Sequence, residues 1–189
     1  MTRLVGGTHQ TTRLRTFMQQ AQIDLLVLAF QQGEKRAYSL LYQYFTPGLR
    51  RFAGYRVSSQ AVADDLVQNV WIKVARRVHK LNDVRVFQSW LYRALRWEIS
   101  DWRKSAAEQR HAGDDALADI AADGQSEPER IPRLLEALKP EEREIVELFY
   151  LHEFSLQAIS LTLELPLGTV KSRLHRARQQ LQTFYSEGD

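Results

Sequence analysis

Apolar residues recur at the three- and four-residue spacing of an α-helix along most of this chain, and no stretch alternates convincingly as a half-buried strand would. Leu25, Leu26 and Phe30 open the first run. Gly33 interrupts it, and Ala37, Leu40, Leu41, Tyr44 and Phe45 continue it. Pro47 suits the first turn of a further helix, where a missing N–H costs nothing, and Leu49, Phe52 and Ala53 keep the buried face. Ser58 and Ser59 are candidate caps for a helix over about residues 61–80. Its core stripe is Val62, Leu66, Val67, Val70, Trp71, Val74 and Val78, and its opposite face carries Asp65, Gln68, Asn69, Ile72 and Arg76. Ile72 stands out as an apolar residue among polar neighbours. A short loop over residues 81–86 leads to a helix from about Phe87 to Lys104, with Phe87, Leu91, Leu95, Ile99 and Trp102 as its core. Trp90 and Trp97 fall on a different stripe of that helix, with Arg93 between them.

The character changes over residues 105–130. Alanine, glycine and acids dominate, with Asp114, Asp115, Asp119, Asp123, Glu127 and Glu129 opposed by Arg110 and Arg130. So few large apolar side chains cannot offset the entropy of ordering, so the stretch reads as an acidic linker. Apolar periodicity resumes with Leu134, Leu135 and Leu138 and stops at Pro140. Glu141 and Glu142 then fall in the first turn of the next helix, where its dipole favours acids, and Ile145, Val146, Leu148 and Phe149 carry the pattern to Leu151.

Two short helices close the pattern. Leu156, Ile159 and Leu163 form the first, and Glu164-Leu165-Pro166 ends it because proline clashes with the preceding turn. Val170, Leu174, Ala177 and Leu181 stripe the second, which Gly168 and Thr169 open. With Val170 on the core side of a wheel of about 100° per residue, Ser172, His175, Arg176 and Gln179 point outward. Thr169 and Arg173 lie on one flank, Lys171 and Arg178 on the other. No acid lies between Pro166 and Leu181. An ordinary amphipathic helix also presents a charged face to solvent. A tight preceding helix and a basic face without balancing acids are the pattern of a helix-turn-helix whose second helix enters a DNA major groove.

The chain thus reads as all-α. It has a loosely ordered extension over residues 1–20, a helical domain over 21–104, a flexible acidic linker over 105–130, and a second domain over 131–185, a four-helix unit containing the helix-turn-helix. Its 189 residues and 44% hydrophobic content suit one ordinary or two small globular domains. A formal charge of +3 says little, so local segregation of charge carries the argument. No cysteine is present, which excludes disulfides and thiolate metal sites and fits a cytoplasmic location. The first twenty residues lack the apolar core of a signal peptide. The longest apolar run, Leu25 to Phe30, is far short of the roughly 20 residues of a membrane span.

Aromatic rings interleaved with arginines, as in Trp90, Arg93, Arg96 and Trp97, suit single-stranded nucleic acid: rings stack on unpaired bases and arginines follow phosphates. Against this, tryptophans are usually largely buried in a core. Enzyme readings fit poorly. His152-Glu153 lacks the second histidine of a metalloprotease helix, and Gly168-Thr169-Val170-Lys171-Ser172 lacks the upstream glycine and preceding strand of a phosphate loop. No catalytic group, metal site or cofactor is expected.

Three stretches together resemble a bacterial RNA polymerase sigma factor of the extracytoplasmic-function type. They are Ala63-Asp64-Asp65-Leu66-Val67-Gln68-Asn69-Val70-Trp71, then Phe87-Gln88-Ser89-Trp90-Leu91-Tyr92-Arg93-Ala94-Leu95-Arg96, and finally residues 138–148 followed by Gly168-Thr169-Val170-Lys171-Ser172-Arg173-Leu174-His175-Arg176-Ala177-Arg178. The resemblance covers about Ile23 to Leu181. It implies a subunit that binds the core polymerase clamp and melts the −10 element with its first domain. Its second domain would bind the polymerase flap and read the −35 element of promoter DNA. Asp64, Asp65, Gln68 and Asn69 match the clamp-binding helix, and Ile72 joins them on the wheel. The loop from Leu81 to Ser89 matches the −10 recognition loop, in which Asn82 is best equipped to bond a base edge. Arg85, Ser89, Trp90, Arg93, Arg96 and Trp97 belong to the same opening segment. Thr169, Lys171, Ser172, Arg173, His175 and Arg176 match the −35 helix, where arginines reach guanine edges. The resemblance also implies an anti-sigma factor as partner, often a membrane protein, with no membrane insertion by this chain itself. Asn69 and Trp97 depart from the residues common at those positions, and LQAISLTL over residues 156–163 replaces a more acidic, alanine-rich helix. The competing readings are a helix-turn-helix transcriptional regulator without a sigma role, and a module that binds only protein.

Overall fold

The computed structural model describes residues 7–112, 135 and 137–187. Its helices are α1 (Gly7–Gln31), α2 (Lys35–Gly54), α3 (Gln60–Arg77), α4 (Phe87–Ala112), α5 (Pro140–Val146), α6 (Leu156–Leu163) and α7 (Leu167–Glu187), and no strand occurs among the described residues.

The first unit is α1 to α4. Helix α1 begins at Gly7, well before the domain start expected at residue 21, so the extension expected to be loosely ordered is helical from that point. Its buried face is Ile23, Val27 and Phe30, while Leu25 is 66% exposed and Leu26 is partly buried. The apolar run LLVLAF therefore does not lie uniformly in the core, because only every third or fourth position faces α2. Gly33 turns the chain with φ of 86°, a left-handed conformation that suits a residue without Cβ.

Helix α2 runs unbroken through Pro47, where the sequence suggested a new helix. Its core face is Ala37, Leu41, Phe45, Leu49, Phe52 and Ala53; Leu40 and Tyr44 are exposed. A proline inside a helix costs about 3 kcal/mol. Burying each large side chain contributes roughly 1.5–3 kcal/mol, and the stripe continues across Pro47 on both sides, so burial wins. Ser59 caps α3 by accepting from the Val62 N–H at 3.3 Å. Leu66, Val67, Val70, Trp71 and Val74 are buried as the periodicity requires. Trp71 sits among Tyr38 and Tyr42 with ring centroids 5.7 and 5.3 Å away. At the end of α1, the Gln31 side chain donates to the carbonyls of Val78 and Leu81 at 2.9 and 2.7 Å, fixing the loop that follows α3.

Helix α4 buries Phe87, Leu91, Leu95 and Ile99 as expected, and also Tyr92. It continues past Lys104 to Ala112, so the first residues assigned to the linker extend the helix. Most of the acidic linker, and Leu134 in the first helix expected of the second unit, lie outside the described residues.

In the second unit, Leu135 and Leu138 are buried and Pro140 opens α5. A wide turn over Glu147–Leu151 closes with the His152 N–H on the Glu147 carbonyl, five residues back, at 3.2 Å. Ser155 caps α6 by accepting from the Ala158 N–H at 3.0 Å. Glu164 ends α6 in the left-handed conformation, φ 56°, and the Leu165 N–H returns to the Ser160 carbonyl at 3.1 Å. Val170, Leu174 and Ala177 of α7 are buried, completing the helix-turn-helix. The two units are in contact: α6 lies against α4.

Candidate nucleic-acid and polymerase interfaces

Three faces carry the residues singled out in the sequence. On α7, Lys171, Ser172, His175 and Arg176 are exposed, and Thr169 and Arg173 are partly buried on the flank. The core stripe of Val170, Leu174 and Ala177 anchors the helix, so these side chains are displayed on a fixed support. Arg176 is not wholly free, since its Nε lies 3.4 Å from Oε1 of the buried Glu142. Arg178, on the flank, donates to the Tyr150 hydroxyl at 2.8 Å and lies over the Phe149 ring. It belongs to the scaffold rather than to the free basic face.

On α3, Asp65, Gln68, Asn69 and Ile72 share one exposed face, with Ile72 45% exposed. Asp64 sits at its edge, bound to Arg50 at 2.9 Å and to Gln60 at 2.9 Å. It is committed within the protein, whereas the other four are open.

The third face runs from the loop into α4, and the structure divides it. Asn82 is exposed. Asp83 accepts from the Arg85 backbone at 3.0 Å and from its guanidinium at 2.9 and 2.8 Å. These bonds hold the Asp83 carboxyl below the usual carboxylate range and raise Arg85 above its own. Trp97 is 62% exposed, while Trp90 is partly buried with its ring 6.1 Å from Phe87. The remaining residues meet the second unit. Ser89 is buried and donates to the Ala158 carbonyl at 3.1 Å. Arg93 reaches Glu164 at 3.5 Å. Arg96 donates through Nε and Nη2 to the two Glu144 carboxylate oxygens at 2.8 and 3.2 Å, and to the Thr162 carbonyl at 3.3 Å.

Sequence reasoning missed the centre of this contact. Tyr92 Oη lies 3.1 Å from His152 Nδ1, among the rings of Phe52 and Phe154. Burial pushes the Tyr92 hydroxyl above its usual range. Burial, reinforced by the charges of Arg51 and Arg56, brings His152 down to about 4. Beside them Arg56 lies 3.7 Å over the Phe52 ring and pairs with the buried Glu147 at 2.5 Å. The available signal was a third stripe on α4, Ser89, Tyr92 and Arg96 at helical spacing, which meets Ala158, His152 and Glu144 of the second unit in turn. A cleft of about 830 Å³ opens beside it, lined by Tyr55, Arg56, Trp97, Arg103, Lys104 and Arg143 among others.

A helix with an open polar face, a following helix bearing aromatic and basic residues, and a helix-turn-helix in a second unit make up the three faces that the comparisons with known proteins address. Sigma-70 region 2 matches residues 41–109, and Sigma-70, region 4 matches residues 129–181. The RNA polymerase sigma-H factor of Pseudomonas aeruginosa is 30% identical over 189 residues, covering 86% of this chain and 93% of that relative. The ECF RNA polymerase sigma factor SigM of Bacillus subtilis is 23% identical over 155 residues, covering 78% of this chain and 94% of the relative. Two solved structures share the fold. CnrH, in complex with the cytosolic domain of CnrY, superposes with a TM-score of 0.65 at 21% identity, over 88% of this chain and 99% of CnrH. RpoE of Bartonella quintana, in complex with the anti-sigma factor NepR, gives 0.60 at 24% identity, over 79% and 96%. This chain belongs to the extracytoplasmic-function (ECF) family of RNA polymerase sigma factors. It is an alternative sigma factor that directs promoter-specific transcription initiation. Among the described residues, no helix is long and apolar enough to cross a membrane.

Proposed function

We propose that the three faces divide promoter recognition among them. The exposed edge of α3, Asp65, Gln68, Asn69 and Ile72 with Asp64 beside it, holds the clamp of core RNA polymerase. Asn82 captures a base of the −10 element, and Arg85, Ser89, Trp90, Arg93, Arg96 and Trp97 hold the separated strand by stacking and phosphate contacts. Thr169, Lys171, Ser172, Arg173, His175 and Arg176 of α7 read the −35 duplex in the major groove, and the second unit also meets the polymerase flap. The observation that carries this reading is the acid-free, exposed face of α7 on a buried Val170–Leu174–Ala177 stripe, in a chain whose first unit matches region 2. The protein works in the cytoplasm without catalytic groups of its own. It is held in check by an anti-sigma factor, as the RpoE structure was solved with the anti-sigma factor NepR bound.

Run-off transcription with core polymerase on a randomised promoter library tests this. The expected result is enrichment of one −35 and one −10 sequence. Arg176→Ala should flatten preference at one −35 position by about 1–3 kcal/mol, the worth of one arginine–guanine pair. Absence of promoter-dependent initiation would overturn the assignment of the faces. Intact selectivity in Arg176→Ala would move base reading to Lys171 or Arg173.

A further inference from the structure

We propose that helix α1 is a self-association surface: its outer face pairs, antiparallel and about a two-fold axis, with α1 of a second copy of this chain. That face is used by none of the roles assigned to α3, α4 and α7.

Helix α1 is apolar on two opposite sides. Ile23, Val27 and Phe30 are buried in the core of the first unit. On a wheel of about 100° per residue, Ala21, Leu25 and Leu28 fall on the opposite side. All three are exposed, Leu25 by 66% and Leu28 by 43%. The sequence continues their spacing toward the start of the helix with Met18 and Leu14, so positions 14, 18, 21, 25 and 28 follow one another at intervals of four, three, four and three. That is the heptad repeat of a helix that packs along a second helix. One apolar stripe suffices to hold a surface helix to its own core, so the second is left over. Contiguous exposed apolar side chains of this kind mark an interface. The match to Sigma-70 region 2 begins at residue 41, so α1 lies outside it.

The charges along the chain here select the occupant and its direction. Arg3, Arg13 and Arg15 are the only lysines or arginines before Lys35, and Asp24 and Glu34 are the only acids before Asp64. The basic residues therefore precede Ala21, the midpoint of the seam, and the acids follow it. A parallel pair would set like charges side by side. An antiparallel pair sets the basic half of each copy along the acidic half of the other, and one two-fold axis satisfies both halves at once. Ala21 falls at the middle of the seam, where a small side chain lets two helix backbones approach. Helix α1 is already held helical by its packing on α2, so pairing is spared the nucleation cost that makes short isolated helices marginal. The seam from Leu14 to Leu28 is about 21 Å long at about 1.5 Å per residue. It is smaller than a standard interface of about 1,600 Å², so the pair forms in the micromolar range and comes apart on dilution.

Sedimentation equilibrium of the full-length chain, run from low to high micromolar concentration, is the test. The mass is expected to rise with concentration from 22.0 kDa toward twice that value and to stop there, as two-fold closure requires. Leu25→Glu with Leu28→Glu should remove the rise, and far-UV circular dichroism checks that this variant keeps its helices. Arg13→Glu with Arg15→Glu leaves the apolar seam intact and should weaken pairing about fivefold; adding Asp24→Lys and Glu34→Lys to that variant should restore it. A chain that stays at 22.0 kDa at every concentration would overturn the self-pairing and leave the seam to a helix of another protein. Undiminished pairing in the Leu25→Glu, Leu28→Glu variant would place the contact elsewhere and overturn it equally. A mass that climbs past the dimer, or an Arg13→Glu, Arg15→Glu variant that pairs as well as the unmodified chain, would rule out the two-fold antiparallel arrangement.

Discussion

At the residue scale, His152 carries a consequence that can be measured. It faces Tyr92 on α4, Arg51 on α2 and Arg56 in the turn just after α2, beside the rings of Phe52 and Phe154. Its proton is held less tightly in the folded protein, at about 4, than in an unfolded chain, at about 6.5. Between those values the unfolded or opened form binds more protons. Stability is therefore complete above pH 6.5 and falls as the pH is lowered toward 4. The loss reaches about 3 kcal/mol at most by the pKa difference. Urea denaturation at pH 7 and pH 4.5 should show this fall in the unmodified chain and a smaller one in His152→Asn, which keeps a polar side chain without the titration. Equal falls in both would assign the acid sensitivity to other groups. Arg176 teaches a different point. Its tie to Glu142 at 3.4 Å is long and the arginine is more than half exposed, so the pair is worth little and can yield to a guanine edge.

At the element scale, α3 separates two jobs cleanly. One face builds the core through Leu66, Val67, Val70, Trp71 and Val74, and the other presents Asp65, Gln68, Asn69 and Ile72 to a partner. Substitutions on the open face should leave the fold alone, because exposed changes away from caps and cores stay within about 0.5 kcal/mol. Asp65→Ala, Gln68→Ala and Ile72→Ala together should weaken binding to core polymerase at least tenfold, measured by surface capture, with the urea midpoint unchanged. Core binding that survives would place the clamp contact elsewhere. Helix α2 makes the opposite lesson. Pro47 looked like a boundary because local sequence rules treat proline as a stop. The buried stripe on both sides of it outweighs that local preference.

At the scale of the whole molecule, partly buried ion pairs of Arg56 and Arg96 with Glu144 and Glu147 and one aromatic box hold the units together. The proposed clamp contact lies on the first unit and the proposed flap contact on the second, so we expect joint engagement of both to part the units. Association with core polymerase should then be slowed by the closed fraction. Stopped-flow mixing is expected to give Glu144→Lys about a tenfold faster association than the unmodified chain, with dissociation little changed. Identical association rates would mean that polymerase binds the closed form directly.

The helices, their core stripes, the cap at Ser59 and the helix-turn-helix were legible in the sequence, because each rests on spacing within one segment. Membership of the family was legible for the same reason: its motifs are short and local, and Asp65, Gln68, Asn69, Ile72, Lys171 and His175 are as exposed as the helical wheel required. What the sequence by itself left open was the company those residues keep. Arg93 and Arg96 have the same pattern whether they face water, phosphate or Glu164 and Glu144. Tyr92 and His152 stand sixty positions apart with nothing in either segment to pair them. Only the tertiary structure decides that the face of α4 proposed to hold the opened strand meets α6 and Glu144, while the basic face of α7 remains exposed. Ion-pair partners and buried hydrogen bonds depend on which surfaces meet, and periodicity within a single helix does not encode that choice.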